Sequence, residues 1–355
     1  MTSRERVMCA LSHRRPDRPP LNYFGTEETT SGLLRHLGLE SGEDLLRYFG
    51  ADMRYVSARY VGPDTFSGAF GYSTGGTDMW GIGWRSVGND WCRYHDPVVH
   101  PLAQAETVRD IEEYDWPTVD WLSVAHVRDA IGNFNQEEPK AIVFSMGSFL
   151  EIGWAMRGLE KFLADLIEQP EMVEAILGRV TALCKEITMR ALEESEGEID
   201  IVWSAGDVGM QTGMMFSPEL WREWISPFQR DLIEPFRQMG LKTRYHTDGS
   251  VVPIIEDLIE MGLDLLDPIQ PDTPGMDPEN LIRLFRGRIS FYGGVDTQKL
   301  LPFGTPDEVE REVLKRINIL GSDGGYIVAA SNSVQPDVPI ENVLALYHTA
   351  RDYRY

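Results

Sequence analysis

The stretch His246-Thr-Asp248-Gly249 carries residue types that could do chemistry, an imidazole and a carboxylate two positions apart. It ends a short mixed apolar run, and apolar residues recur at helical spacing over positions 251–259. We therefore predict that His246 closes a strand and that Asp248 lies in the turn before a helix. Near neutral pH the imidazole can serve as an acid, a base or a metal ligand, and Asp248 can coordinate beside it or orient it. The alternative for an isolated motif of this kind is structural, with Asp248 capping the helix and His246 hydrogen-bonded at a strand end.

The elements that must position these side chains follow a β/α rhythm. Short β-rich segments alternate with helix-length patterns, after a first helix that Thr2 or Ser3 caps and that stops in the proline-rich stretch 14–20. The eight predicted strands cover residues 21–24, 53–57, 141–146, 200–204, 242–246, 263–267, 288–292 and 325–329. This pattern predicts a single (β/α)8 TIM-type barrel domain over residues 1–355, with a doubly wound open sheet as the alternative. The glycine-rich phosphate-binding signatures of open-sheet families do not occur in the chain.

Residues 60–140 interrupt this rhythm and predict an insertion over one barrel loop. Tryptophans stand there among glycine, aspartate and proline, at Trp80, Trp84, Trp91, Trp116 and Trp121. Residues 78–84 alternate as a hairpin strand does. The insertion could form a lid, with Trp80, Trp84 and Trp91 lining a ligand cavity, or the rings could pack the insertion against the barrel.

Polar residues follow nearly every predicted strand, and the C-terminal strand ends of a barrel form its catalytic face. We therefore expect a common pocket in the barrel mouth. The candidates for catalysis are His246, Asp248 and Asp207, of which His246 and Asp248 are also the candidate metal ligands. The candidate substrate-binding residues are Tyr23, Glu151, Trp203, Gln211, Asp296, Asn332 and Gln335.

Carboxylates and a histidine from separate strands suit a divalent cation, and zinc is the first metal to consider. Because the ligand set contains no thiolate, we expect such a metal to be held weakly. A metal-free, hydrogen-bonded cluster is the alternative.

The composition excludes several classes of partner. The formal charge of −23 over 355 residues argues against nucleic acid, whose phosphates the protein would repel. The apolar runs are shorter than a membrane span and the N-terminus lacks an apolar signal segment, so we expect a cytoplasmic protein that does not bind a membrane. Cys9, Cys92 and Cys184 are far apart, which argues against a disulfide framework. A small-molecule substrate is the expected ligand, and a homodimer is one of the oligomeric states left open.

Several motifs, in this order along the chain, resemble the uroporphyrinogen decarboxylase superfamily. They are Arg4-Glu-Arg-Val7, Arg15-Pro-Asp-Arg18, Asp78-Met-Trp-Gly81, Tyr245-His-Thr-Asp-Gly249, Gly293-Gly-Val-Asp-Thr297, Gly324-Gly-Tyr-Ile-Val328 and Pro339-Ile-Glu-Asn342. Each motif is weak by itself, but together they extend the resemblance nearly from end to end. The resemblance implies one distorted (β/α)8 barrel with its active site in the mouth.

The superfamily contains two chemistries. The true decarboxylases carry an Arg-rich Met-Arg-Gln-Ala-Gly-Arg loop after the first strand, which grips the carboxylates of a porphyrinogen. This chain has Gly25-Thr-Glu-Glu-Thr-Thr30 at that place. Carboxylates in place of guanidinium groups turn attraction for a polyacid into repulsion. The chain therefore looks closer to the other branch, the corrinoid-dependent methyltransferases.

Thiol-methylating members of that branch hold zinc through His-x-Cys and a later Cys. Here His246 matches the first ligand, Asp248 stands at the first cysteine, and Asn332 falls close to the second. The harder ligand set favours an oxygen or nitrogen compound over a thiol, so the resemblance implies demethylation of a methoxy or methylamine substrate. The corrinoid is expected on a partner protein, because the chain has no Asp-x-His-x-x-Gly corrinoid-binding motif. The alternatives are a decarboxylase of porphyrin biosynthesis, like uroporphyrinogen decarboxylase, and a non-catalytic small-molecule binding barrel.

Overall fold

The computed structural model describes residues 1–69, 75–88 and 92–355. Its largest sheet has seven strands, and all neighbouring strands in it are parallel. In chain order, which is also the order in the sheet, they are β1 Met53–Ser57, β2 Ala141–Ser148, β3 Ile201–Ala205, β4 Lys242–His246, β5 Leu265–Ile269, β6 Ser290–Val295 and β7 Tyr326–Ala330. Parallel strands in sequential order, with helices between them, are the arrangement of a TIM-type barrel, so the predicted fold class is confirmed.

The segment at Leu21 lies between the two ends of this sheet. Leu21 forms a parallel bridge with Val328 of β7, and its carbonyl oxygen accepts the N–H of Asp52 at 2.9 Å, just before β1. A second bridge involves Gly25. The predicted strand at 21–24 is thus reduced to isolated bridges, because Pro20 has no N–H to donate and the chain turns into a helix soon after Gly25.

The other seven predicted strands are confirmed, two with identical bounds and five with bounds that differ by one to three residues. The strands predicted at 263–267 and 288–292 begin two residues later, as β5 and β6. Before β5, the turn uses Asp264, whose carboxylate accepts the ammonium of Lys242 at 2.7 Å and the N–H of Thr243 at 3.0 Å.

Helices surround the sheet and connect its strands. Over the described residues the α-helices are α1 Ser3–Leu11, α2 Glu27–Leu37, α3 Gly42–Phe49, α4 Val108–Glu112, α5 Val127–Phe134, α6 Phe149–Arg157, α7 Leu159–Glu168, α8 Pro170–Glu194, α9 Pro218–Leu220, α10 Ser226–Asp231, α11 Glu234–Gln238, α12 Val252–Met261, α13 Pro278–Phe285, α14 Leu300–Phe303, α15 Pro306–Leu320 and α16 Ile340–Asp352. No helix in this part of the chain combines the length and the apolar character that crossing a membrane requires.

Helix α1 covers the N-terminal end of the barrel. Thr2 begins it with a capping box, in which its hydroxyl accepts the N–H of Glu5 and the carboxylate of Glu5 accepts the N–H of Thr2. Val7 and Leu11 then pack on a core inside the barrel, whose other buried members are Met53, Ala141, Val143, Ile201, Leu265, Tyr292, Ile327 and Ala329. This apolar plug leaves the C-terminal end of the barrel for ligands.

The insertion contains a small antiparallel sheet with strands Gly76–Thr77, Gly83–Gly88 and Arg93–Val99. The hairpin strand predicted at 78–84 was wrong in its bounds, because residues 78–82 form the turn between the first two strands. Asp78 imposes this turn, since its carboxylate accepts the N–H groups of Trp80 and Ile82.

The tryptophans of the insertion differ in their roles. Trp80 is fully buried, meets Trp116 of the same insertion edge-on at 6.4 Å between ring centroids, and belongs to the main hydrophobic core of the protein. Trp84 is half-buried, and Trp91 lies outside the described residues. The insertion also reaches the loop after β7, where its Tyr94 hydroxyl donates to Gln335. The lid stays a prediction.

Candidate active site

Strand β4 places two functional side chains inside the barrel. Successive residues of a strand point to opposite faces, so Arg244 and His246 point inward while Thr243 and Tyr245 point toward the helices. Arg244 is 5 % exposed and lies deep in the barrel. The side chain of His246, at the strand end, is 25 % exposed and faces the mouth.

Asp267 of β5 contacts both of these side chains and a third one inside the barrel. Its Oδ2 accepts Arg244 Nη2 at 2.8 Å and the indole N–H of Trp203 at 3.1 Å. It also lies 3.3 Å from His246 Nδ1. Burial alone would raise the pKa of Asp267, but Arg244 and His246 outweigh burial and hold that pKa below its usual range. An ionised Asp267 accepts the Nδ1–H of His246, which leaves Nε2 directed toward the mouth.

Two further carboxylates meet His246 Nε2. Asp207, in the loop after β3, lies 3.8 Å from it, and Asp248, in the loop after β4, lies 3.9 Å from it. Asp207 also accepts the backbone N–H of Asp248 at 2.8 Å. Asp248 in turn accepts Gln270 Nε2 at 2.9 Å and Asn332 Nδ2 at 2.7 Å. The structure thus brings His246, Asp207, Asp248 and Asn332 together from the loops of three strands and one strand end.

This crowding shifts two pKa values into or beyond the neutral range. Burial by itself would lower the pKa of His246, but Asp267, Asp207 and Asp248 outweigh burial and raise that pKa to about 9. Burial raises the pKa of Asp248 to about 7, with a further contribution from Asp207 and against the lowering effect of His246. At neutral pH His246 therefore holds its proton, and Asp248 is poised between its two protonation states.

Glu151 supports the site from helix α6. Its carboxylate accepts the backbone N–H of Asp207 and the hydroxyl of Ser148, so both of its oxygens have protein partners. Burial, followed by the charge of Asp207, raises the pKa of Glu151. Glu151 was predicted to bind substrate, and in the structure it positions the loop that carries Asp207.

Tyr23, predicted to bind substrate, lies on the wrong side of the barrel wall. It is 8 % exposed, its hydroxyl hydrogen-bonds Thr30 at 2.9 Å, and its ring packs among aromatic rings of the helix layer. Asn22 points inward instead and donates to the hydroxyls of Tyr55 and Tyr292, at 2.9 and 2.8 Å. An irregular segment held by two bridges does not reveal from sequence which residues face inward.

Three other predicted substrate-binding residues lie apart from the cluster. Gln211 is exposed in the turn between the short strands Gly209–Met210 and Gly213–Met214. The carboxylate of Asp296 accepts three backbone N–H groups from the loop that enters α14. Gln335 donates to the Ser333 carbonyl at 3.1 Å and accepts the insertion's Tyr94 hydroxyl. The surroundings of Asp296 and Gln335 are explained by loop structure without a substrate.

Sequence reasoning missed Asp267 and Gln270 as site residues. Residue-type alternation indicates that Arg244 shares the inner face with His246, but the partner of Arg244 depends on the register between β4 and β5. That register places Asp267 directly beside His246. Trp203, which was predicted, lies inside the barrel, with its ring edge-on to His246 at 6.0 Å between centroids.

Asp207, His246 and Asp248 also fit a divalent cation. One ligand atom from each lies within 4.8 Å of the others, and metal–ligand bonds of about 2 Å place neighbouring ligands roughly 3–4 Å apart. Asp267 on Nδ1 is the outer carboxylate that typically orients a metal-binding histidine. The donor set contains only oxygen and nitrogen, which suits harder metals better than a thiolate site does.

Comparisons with known proteins place the chain in a family. The sequence model of the family described as uroporphyrinogen decarboxylase (URO-D) matches residues 87–353. A solved structure, a methyltransferase from Methanosarcina mazei, shares the fold with a TM-score of 0.71 at 18% sequence identity, and the match covers 99% of each chain. A dihydropteroate synthase from Xanthomonas albilineans matches 48% of this chain and 60% of its own at 14% identity. Its TM-score of 0.31 is too low to indicate a shared fold. The search of curated proteins gave no match. The chain is therefore a member of the uroporphyrinogen decarboxylase (URO-D) family.

Proposed function

We propose that this chain is a methyltransferase that moves a methyl group from a small methoxy or methylamine substrate to a corrinoid carried by a partner protein. The observation that carries this proposal is the acid–histidine cluster of Asp207, His246 and Asp248 in the barrel mouth. The family supports an enzyme whose active site lies in the barrel, and a protein of the same fold is described as a methyltransferase. The substrate and the partner are part of the proposal.

The residues can supply what a demethylation needs. The bond between the methyl carbon and its oxygen or nitrogen breaks, and the bonding electron pair stays on that atom. For a methoxy compound this leaving oxygen must receive a proton, which Asp248 can donate because its pKa is about 7. In the same displacement the carbon bonds to the electron pair of the acceptor. A reduced corrinoid supplies that acceptor when it is bound.

A divalent metal is a second means of activating the leaving atom. We propose that Asp207, His246 and Asp248 hold one weakly, zinc in the first place. A bound metal ion acts as a Lewis acid on oxygen or nitrogen. Elemental analysis of protein purified without chelator should find substoichiometric zinc or another divalent ion. Stoichiometric zinc that survives dialysis against chelator would contradict this expectation.

A decarboxylase acting on a porphyrinogen is less well supported. A polycarboxylate substrate needs several free cations, and the interior guanidinium of Arg244 is already paired with Asp267 at 2.8 Å. Glu27 and Glu28, after the segment that closes the barrel, are exposed carboxylates where the decarboxylases carry arginines. The mouth is therefore unsuited to a substrate of high negative charge.

The proposal is tested by methyl transfer to reduced cobalamin under anaerobic conditions. Wild-type protein should transfer methyl groups from one or more methoxy or methylammonium compounds, and the absorbance of cobalamin reports the transfer. The Asp248→Asn variant should be slower by roughly 100-fold or more on methoxy compounds, since general acid catalysis contributes about 10²–10⁴-fold. Asp129→Asn, the same change at an exposed position of α5, is the control and should keep full activity. Loss of carboxylate from uroporphyrinogen, with no methyl transfer, would overturn the proposal.

A further inference from the structure

Carboxyl groups outnumber basic groups among the ionisable Asp, Glu, His and Arg residues at and below the barrel mouth. These residues are Arg244, His246, Asp267, Asp207, Asp248 and Glu151. Arg244 and Asp267 neutralise each other, because their side chains are 5 % and 3 % exposed and 2.8 Å apart. His246 then faces two further carboxyl groups, those of Asp207 and Asp248. Both are directed toward the mouth, with 38 % and 28 % of their side chains exposed.

Aromatic rings form part of the same wall. Tyr55 points into the barrel and is nevertheless 39 % exposed, so the open space of the mouth reaches down to this ring. Trp203 is half-buried beside His246. Deeper in the barrel, the guanidinium carbon of Arg244 lies 4.0 Å from the centroid of the Tyr292 ring, so the rings of this interior already stabilise one cation. Carboxylates beside exposed aromatic rings are the surroundings in which methylated ammonium groups bind in proteins.

A polar group at the floor of this space has an unused hydrogen-bonding atom. Asn22 is 1 % exposed, and its amide contacts the hydroxyls of Tyr55 and Tyr292 with one terminal atom. The other terminal atom has no partner among the described residues, whichever way the amide is turned. This atom has almost no accessible surface, so it is closed off from the open space of the mouth and offers no contact to a ligand there.

We propose that the methyl donor of this barrel is an organic cation, a small methylated ammonium compound. This inference rests on the proposed function and narrows its substrate from methoxy or methylamine compounds to the cationic class. Asp207, together with Asp248 in its ionised form, attracts the ammonium group, and Trp203 and Tyr55 contact its methyl groups.

The chemistry balances without a proton in the transfer step. The bond between a methyl carbon and the ammonium nitrogen breaks, the electron pair stays on nitrogen as a neutral amine, and the carbon bonds to the electron pair of the partner's reduced corrinoid. The carboxylates act in binding and selection, because they favour a positive substrate over a neutral one of the same shape. Asp207 and Asp248 are therefore specificity residues for charge.

The test compares choline with 3,3-dimethylbutan-1-ol, its neutral carbon isostere, by titration calorimetry on chelator-treated protein without corrinoid. Choline should bind at least ten-fold more tightly than the isostere, and this preference should shrink as salt is raised. Asp207→Asn should weaken choline binding about ten-fold and leave the isostere unchanged. Asp129→Asn, the same change at an exposed position of α5, is the matched control and should alter neither. Thermal unfolding of both variants verifies that they are folded.

Equal affinity for choline and its isostere, or no effect of Asp207→Asn on choline, would overturn the inference. The result is separable from that of the proposed function. If methoxy compounds methylate reduced cobalamin but choline binds no more tightly than its isostere, the proposed methyltransferase function is supported and the proposed cationic substrate class is refuted. If choline binds with the expected preference but no methylated compound of either class yields methyl transfer, the proposed function falls together with the donor role, and a cation-binding barrel is left.

Discussion

Replacing Asp248 by asparagine should make the protein more stable above neutral pH while it impairs methyl transfer. The fold raises the pKa of this carboxyl group from 3.8 to about 7. A raised pKa means that the folded protein resists ionisation of Asp248 more than the unfolded chain does. The resulting cost is absent below about pH 4, grows as the pH rises toward 7, and is fully present above 7. Asparagine cannot ionise, so the variant escapes this cost.

The size of the effect follows from the shift and from the hydrogen bonds. A shift of about three units corresponds to at most about 4 kcal/mol at 1.36 kcal/mol per unit. Asparagine keeps an acceptor for only one of the two donors, Gln270 and Asn332. The lost hydrogen bond destabilises the variant by about 1–3 kcal/mol and offsets part of the gain. We expect a net gain of about 1–2 kcal/mol at pH 8 and a rise of roughly 2–4 °C in Tm. At pH 5 the gain should be near zero, because the cost relieved there is about 1–2 kcal/mol.

The same chemical change at Asp267 is the control and should have the opposite sign. Asp267→Asn leaves Arg244 buried without its counter-ion, and loss of one partner of a buried pair destabilises by about 3–5 kcal/mol. Both variants are compared with wild type by urea unfolding between pH 5 and pH 8, with chelator in the buffer. If Asp248→Asn is less stable than wild type at pH 8, or if its advantage does not grow with pH, the argument that Asp248 is held against its preferred charge is refuted.

Three further predictions concern activity and the outer wall of the barrel. The rate of methyl transfer from a methoxy compound by chelator-treated protein should fall as the pH rises through about 7, because Asp248 must be protonated to act as the acid. If the measured rate instead falls as the pH rises through about 9, His246 is the proton donor. Tyr23→Phe should lower the free energy of unfolding by about 1 kcal/mol through the lost hydrogen bond to Thr30, and unchanged methyl-transfer kinetics would distinguish its structural position from a substrate contact. Uroporphyrinogen should not lose carboxylate at a useful rate, since each missing charge-assisted contact weakens binding by roughly 1.5–3 kcal/mol. Product analysis after anaerobic incubation tests this, and ordinary turnover would contradict the argument that the acidic mouth repels a polycarboxylate.

The local sequence determined where the regular strands lie and which of their residues point into the barrel. Seven strands could be predicted because each is a short β-rich segment between helix-length patterns, and alternation along β4 placed Arg244 and His246 on one face. The acidic composition and the missing arginine loop at residues 25–30 likewise follow from the sequence alone. These features depend on residues that are neighbours in the chain.

The tertiary structure decided which groups share a site, because hydrogen bonds and charges act between residues far apart in the chain. Asp248 meets Asp207 from 41 positions away and Asn332 from 84, so their distances depend on the closure of the whole barrel. The register of β4 and β5 made Asp267 the partner of His246, and no local pattern encodes that register. Tyr23 was predicted to bind substrate but lies in the helix layer, and its segment, which pairs through isolated bridges, has no regular alternation that would have shown this from the sequence. The sequence therefore determined which residue types reach the barrel mouth, and long-range strand register decided which of them meet there.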